Sequence, residues 1–212
     1  MLKNKAELDR PLENEYVSAT VVAYELKATI VGIQPPIWRR LQVPSTMPLC
    51  CLHDALQAAF GWTDSHLHQF QKDDQTWSNP EWFEDDDIEV VDEGRVQISR
   101  VLKAEGDSLL YEYDFGDSWR HNVVLERILV ADSVPVLCLG GERCCPPEDV
   151  GGVRGYEEFL EVIFEPDHEE FDHYRKWAGD GFWPERFDLQ KVNDTLTRMR
   201  WPKRHRRSSP AN

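Results

Sequence analysis

From Tyr24, the segment YELKATIVGI alternates apolar and polar positions with the two-residue period of a strand and carries β-branched residues throughout. Pro35-Pro36 interrupts it and IWRRLQV resumes the extended pattern, which predicts two strands joined at the prolines. In STMPLCCLHDALQAAFGW the period becomes helical: Leu49, Leu52, Leu56 and Phe60 fall on one face and mark the buried side. Ser45 or Thr46 can cap the first turn, Pro48 suits an early helical position, and Gly61 suits the exit.

SHLHQFQ then alternates again and places His66, His68 and Phe70 on one strand face. The run PEWFEDDDIEVVDEG predicts an acidic connection with a short element in it. SLLYEYDFGDSWRHNVVLERILV reads as two strands around a corner at Asp114-Phe115-Gly116-Asp117, where aspartate and glycine tolerate the unusual backbone angles. Beyond the corner, Trp119, His121, Val123 and Leu125 share one face, and Asn122 and Val124 the other. LGGERCCPPEDVGGVRG reads as a glycine- and proline-rich loop. Helical patterns follow in YEEFLEVIFE, with its stripe Tyr156, Phe159, Leu160 and Ile163, in roughly HEEFDHYRKWAG, and in DLQKVNDTLTRM.

Strands fill the first two-thirds and helices the last third. The expected fold is therefore α+β, a mostly antiparallel sheet with one helix after the first strand pair and the other helices clustered in the C-terminal third. Residues 1–19 read as a polar lead-in, 20–197 as a single domain, and 198–212 as a basic, disordered tail.

Charge refines this picture. The chain has 24 Lys and Arg against 39 Asp and Glu, a net −15. Six of the cations lie from Arg198 onward, where there is no acid, so the preceding body carries 18 against 39, or −21. Such a body repels a phosphate backbone, so nucleic acid is expected only at the tail, and a basic protein or peptide is the expected partner. No apolar run approaches the roughly 18–20 residues of a membrane helix, and the polar start lacks the apolar middle of a signal peptide. The expected location is the cytoplasm, with the five cysteines reduced; they form no repeated CxxC pattern.

The order of motifs is specific. YELKATIVGIQPPIWRRLQV, FGWTDSHLHQF, YEYDFGDSWRH, CCPPEDVGGVRGYEEFL and the late DHEEF...W...F...FDL...N together span about residues 22–197. In these stretches the chain resembles the plasmid pRiA4b Orf3-like family, whose members are often called passenger proteins of insertion elements. The resemblance implies a single α+β domain and a history on plasmids and mobile elements, and it brings no activity with it. Nothing here resembles a serine recombinase active site. Relatives usually carry a histidine near position 171, where this chain has Phe171, with His173 nearby.

The strongest chemical constellation combines His66 and His68 with Asp114, Asp117 and His121. Two imidazoles and a carboxylate can hold zinc, manganese or iron, provided that the SHLHQF strand neighbours the DSWRH hairpin. In that case Asp117, His121, Glu148 and Asp149 are the candidates for catalysis, and His66, His68, Asp114 and His121 for metal ligation. The structural alternative is that the aspartates cap the corner and the histidines bond their neighbours in a half-buried sheet. The loop PPEDVGGVRGY could cradle a phosphate, but Glu148 and Asp149 oppose that, and the Walker ending is absent. His168 and His173, five apart, do not share a helix face as an HExxH pair does. The acids of EDDDIEVVDE lack the EF-hand order.

Two functions remain. The first, favoured by charge and by the lack of a complete catalytic signature, is a non-enzymatic interaction module with an acidic surface. The alternative is a metal-dependent hydrolase, a phosphoesterase or nuclease, built on the His/Asp cluster.

Overall fold

A computed structural model describes residues 20–83, 89–179 and 181–201. The polar lead-in, part of the acidic connection and the tail beyond residue 201 lie outside them.

The frame is an eight-stranded sheet in the order β5-β4-β3-β6-β7-β1-β2-β8. Its strands are β1 (Val21–Ile30), β2 (Trp38–Pro44), β3 (His68–Lys72), β4 (Gln75–Ser78), β5 (Val91–Asp92), β6 (Ser108–Tyr113), β7 (Trp119–Ala131) and β8 (Leu137–Glu142). Every pairing is antiparallel except β4 with β5. The helices are α1 (Leu49–Phe60), α2 (Ile98–Val101), α3 (Gly152–Ile163), α4 (Phe171–Ala178) and α5 (Leu189–Arg198). The architecture is thus α+β with a large, mostly antiparallel sheet. No helix among the described residues is long and apolar enough to cross a membrane.

Alternation decides which face is covered. Leu26, Ala28, Ile30, Leu41, Val43, Val123 and Leu125 are buried from the sheet, and Leu49, Leu52, Leu56 and Phe60 from α1 join them in one core with Tyr156 and Phe159 of α3. The opposite face carries ion pairs, Arg127–Glu25 and Arg120–Glu112 between neighbouring strands and Arg40–Glu126 reaching over β1 from β2 to β7. One solvated and one packed face is the usual state of an antiparallel sheet.

Two local expectations need correction. The amide of Leu49 donates to Val96 O, and Pro48 occupies the cap position without a side-chain bond, so neither Ser45 nor Thr46 caps α1. Its exit does use Gly61, at φ 94°, where the left-handed backbone favours glycine. Part of the stretch read as a loop is β8, whose edge is closed by α5: the Asn193 side chain accepts from Cys138 N at 2.8 Å and donates to Cys138 O at 2.9 Å. An amide side chain can complete a ladder in this way because it carries both a donor and an acceptor.

Arg39, on β2, has only 2 % of its surface exposed. Its guanidinium donates to Ala59 O, Trp38 O, Glu142 O and Arg143 O, each at 2.8 Å. Phe60 and Phe187 flank it, with ring centroids 5.0 and 4.5 Å from Cζ. A Cβ on Gly141 would come within 2.8–2.9 Å of Phe187, Trp38 O and the Arg39 stem, so only glycine fits beside this stack.

Replacing Arg39 by Met would strand two buried carbonyls, of Ala59 and Arg143, and two partly buried ones, of Trp38 and Glu142, and we expect a loss of at least about 3 kcal/mol in urea unfolding. Arg39→Lys should recover only part of this, because three donors on a point charge cannot replace the planar fork. A Lys variant as stable as the parent would show that charge alone suffices.

Candidate functional site

The loop leaving α1 brings His66 to the β6–β7 corner. There its Nε2 lies 3.1 Å from Asp149 Oδ1, 3.7 Å from Asp114 Oδ2 and 4.0 Å from Glu148 Oε2. His66, Asp114 and Asp149 each place a ligand atom within 4.8 Å of the others. Nε2 is shielded from solvent and makes no hydrogen bond, so the 3.1 Å approach to Asp149 is close without being aligned.

Each carboxylate is held by the backbone around it. Asp114 sits at φ 57° and Asp149 at φ 56°, left-handed conformations that aspartate tolerates better than most side chains. Oδ1 of Asp114 accepts from Gly116 N at 2.9 Å, which leaves Oδ2 turned toward His66. Asp114 therefore caps the corner with one oxygen and faces the cluster with the other. Glu148 Oε1 accepts from Thr63 N at 2.9 Å and from the Tyr113 hydroxyl at 3.2 Å, which binds the Glu148 loop to the loop after α1. Asp149 differs in exposure, with 73 % of its side chain open to solvent.

The other candidates lie elsewhere. The β3 strand does neighbour the hairpin, His68 opposite Tyr113, but it starts at His68 and the chain bends at residue 66. The two histidines consequently part company. His68 is buried, donates from Nε2 to Glu93 at 3.0 Å, and stacks on His53 with centroids 3.4 Å apart and planes 7° from parallel. Burial lowers the His68 pKa, against the pull of Glu93. His53 in turn bonds Asp64 and the Tyr111 hydroxyl, each at 2.9 Å. His53, Asp64 and His68 come close enough together to suggest a second cation site. The parallel rings speak against it: imidazole lone pairs lie in the ring plane, and planes this close to parallel do not aim at a shared point.

His121 is a core residue. Its side is packed by Phe60, Trp62 and Tyr111, and Nδ1 donates to Tyr111 O at 3.3 Å. Burial lowers its pKa to about 3. Asp117 is committed too, since its Oδ2 accepts from Gly151 N at 3.0 Å. The glycine-rich loop thus already holds an anion, the chain's own carboxylate. A Cβ on Gly152 would lie 2.4 Å from Asp117 O, so this latch is closely packed as well. His168 precedes α4 and His173 lies within it, so they do not share a helix.

Sequence reasoning missed His53, Asp64 and Glu93. A signal existed for His53, which is four residues from Leu49 and three from Leu56 and so sits in the apolar stripe of α1. Glu93 had none, because it meets His68 only through the fold.

An α+β protein with a sheet of this order and a His/carboxylate cluster at the rim is the class these features define. The chain belongs to the plasmid pRiA4b ORF-3-like family, whose sequence model matches residues 22–191. Uncharacterized protein y4hQ of Sinorhizobium fredii is 37 % identical over 193 residues, covering 87 % of this chain and 96 % of that protein. A crystal structure of a protein of unknown function, MM3350 from Methanosarcina mazei Go1, superposes with a TM-score of 0.72 at 38 % identity, covering 81 % of this chain and 98 % of the other.

Buried neutral in the fold and free to protonate when unfolded, His121 ties stability to pH. Between its folded value of about 3 and the ordinary value of 6.5 the unfolded chain binds the extra proton, so stability rises with pH across that window. Its contribution is complete above the upper limit and falls by up to about 1.4 kcal/mol per pH unit below it. Urea unfolding between pH 7.5 and 5 should show this slope, and His121→Gln should flatten it. An equal slope in the variant would assign the effect to other groups.

Proposed function

We propose that this protein is a metal-dependent hydrolase whose divalent ion is held by His66, Asp114 and Asp149, with Glu148 beside them. The observation that carries the reading is the alignment at His66. An imidazolium paired with Asp149 would point its N–H at the oxygen, whereas here Nε2 and the Asp114 and Asp149 carboxylates lie within 4.8 Å of one another, Glu148 is 4.0 Å from Nε2, and Nε2 bonds none of them. One nitrogen and two or three carboxylate oxygens suit manganese, iron or zinc and leave positions open for water and substrate.

An ion so placed would polarise a substrate oxygen and lower the pKa of a bound water to about 7. The chain's own residues supply the rest. Gly116 fixes the Asp114 carboxylate, and Tyr113 and Thr63 fix that of Glu148. Substrate access is through a 470 Å³ cleft lined by Ser65, His66, Trp82, Asp114 and Phe115. A phosphoester is the substrate class we favour, because the ion would offset the acidic field locally.

The non-enzymatic module is the second reading, supported by the exposed acids Glu157, Glu158 and Glu161 along α3. It calls for salt-sensitive binding of a basic protein or peptide and for no metal.

Metal content of the purified chain separates the two. We expect about one manganese, iron or zinc per chain, lost in His66→Ala and weakened in Asp149→Asn by more than the roughly 10–100-fold typical of outer-sphere changes. Hydrolysis of a phosphodiester should disappear with the metal, while the melting temperatures of the metal-free forms stay equal. A chain that neither retains nor is stabilised by any of these ions would leave the interaction module.

A further inference from the structure

A cleft larger than the one beside His66 lies near the roots of the same two loops. It measures 650 Å³ and opens between the exit of α1, the Cys144-Cys145 turn and the face of α5. This is the size of a small-molecule site. Its lining differs from the rest of an acidic protein: Arg39, Arg186 and Lys191 face a single carboxylate, Asp188, among the described residues. Asp188 is already engaged as the cap of α5, accepting from Lys191 N at 3.0 Å.

Arg39 has no carboxylate partner among the described residues, so its charge underlies the floor of the cleft. Arg186 and Lys191 are exposed and paired with no acid among them. Low-dielectric walls around like charges focus their field on whatever enters. The walls are aromatic: Trp62 is buried and Phe187 partly so, and Trp183, which meets Phe164 at a near-perpendicular angle with centroids 6.0 Å apart, keeps 50 % of its surface exposed and open to a planar ring. Cations beside an open aromatic face match a ligand with a flat ring system and a negative group.

We propose that this cleft binds an anionic aromatic small molecule of the nucleoside phosphate class, with its base against Trp183 and its phosphates toward Arg186 and Lys191. Stacking on an aromatic side chain is sequence-tolerant and substantial, and charge-assisted hydrogen bonds from arginine and lysine are the usual complement for phosphate. The site does not depend on the metal cluster, which lies beyond Trp62 and Cys145 along the same loops.

The test is a titration of the full chain with ADP in excess chelator, followed by calorimetry and tryptophan fluorescence. We expect saturable binding at least tenfold tighter than that of adenosine or of orthophosphate. The Arg186→Glu/Lys191→Glu pair and Trp183→Ala should each weaken it tenfold or more, with melting temperatures unchanged. His66→Ala should bind ADP as the parent does, whether or not the metal reading holds. No saturable binding of ADP would overturn the proposal, as would parental affinity in the charge-reversed variant. Orthophosphate binding as tightly as ADP would overturn the aromatic part of it.

Discussion

The burial of one guanidinium organises the molecule. Arg39 projects from β2 into the core and satisfies carbonyls at the end of α1 and at the end of β8. Helix ends leave carbonyls without intrahelical partners, and a cation there also opposes the negative end of the helix dipole. Burying a charge is costly unless its hydrogen bonds are made, and here the planar fork of arginine meets them from several directions at once. Phe60 and Phe187 cover its faces, which brings the approach to α5 into the same stack.

The two chain segments that Arg39 joins are those that lead into the candidate site. Beyond Ala59 the chain runs through Gly61 to His66, and beyond Arg143 it runs through the cysteines to Glu148 and Asp149. Thr63 and Trp62 then bond across, to Glu148 Oε1 at 2.9 Å and to Pro146 O at 3.3 Å. The His66 cluster is therefore assembled from loops whose roots are fixed by a buried residue that never touches it. The same two loops separate a cluster rich in carboxylates from a cleft rich in cations, so neighbouring surfaces of one acidic protein carry opposite local fields.

The β6–β7 corner reconciles a structural role with a chemical one. Asp114 and Asp117 both bind backbone amides, of Gly116 and Gly151 respectively, as turn aspartates do. Asp117 is used up by this. Asp114 keeps its second oxygen for His66, 3.7 Å from Nε2, because only Oδ1 is engaged by the Gly116 amide. The aromatic residues of the corner divide in the same manner: Trp119, Tyr111 and Tyr113 are core, while Phe115 at the tip stays exposed.

The sequence by itself determined the sheet-and-helix class, the β1–β2 and β6–β7 hairpins, the buried stripe of α1 and the inward face of β7 that holds His121. These follow from periodicities of 2 and 3.6, which are local properties of the backbone. It also singled out His66, Asp114, Glu148 and Asp149 as reactive residue types. Only the tertiary structure decided that these four meet. His66 left the company of His68 because the chain bends just before β3, and no local pattern encodes where a bend points. His53 met His68, and Arg39 met β8, across separations that only the strand order brings together. The LGGE that opens the stretch read as loop by composition is part of an edge strand, because β2 and Asn193 offer backbone partners to β8. Pairing and convergence depend on contacts between distant segments, and those belong to the fold rather than to any window of the sequence.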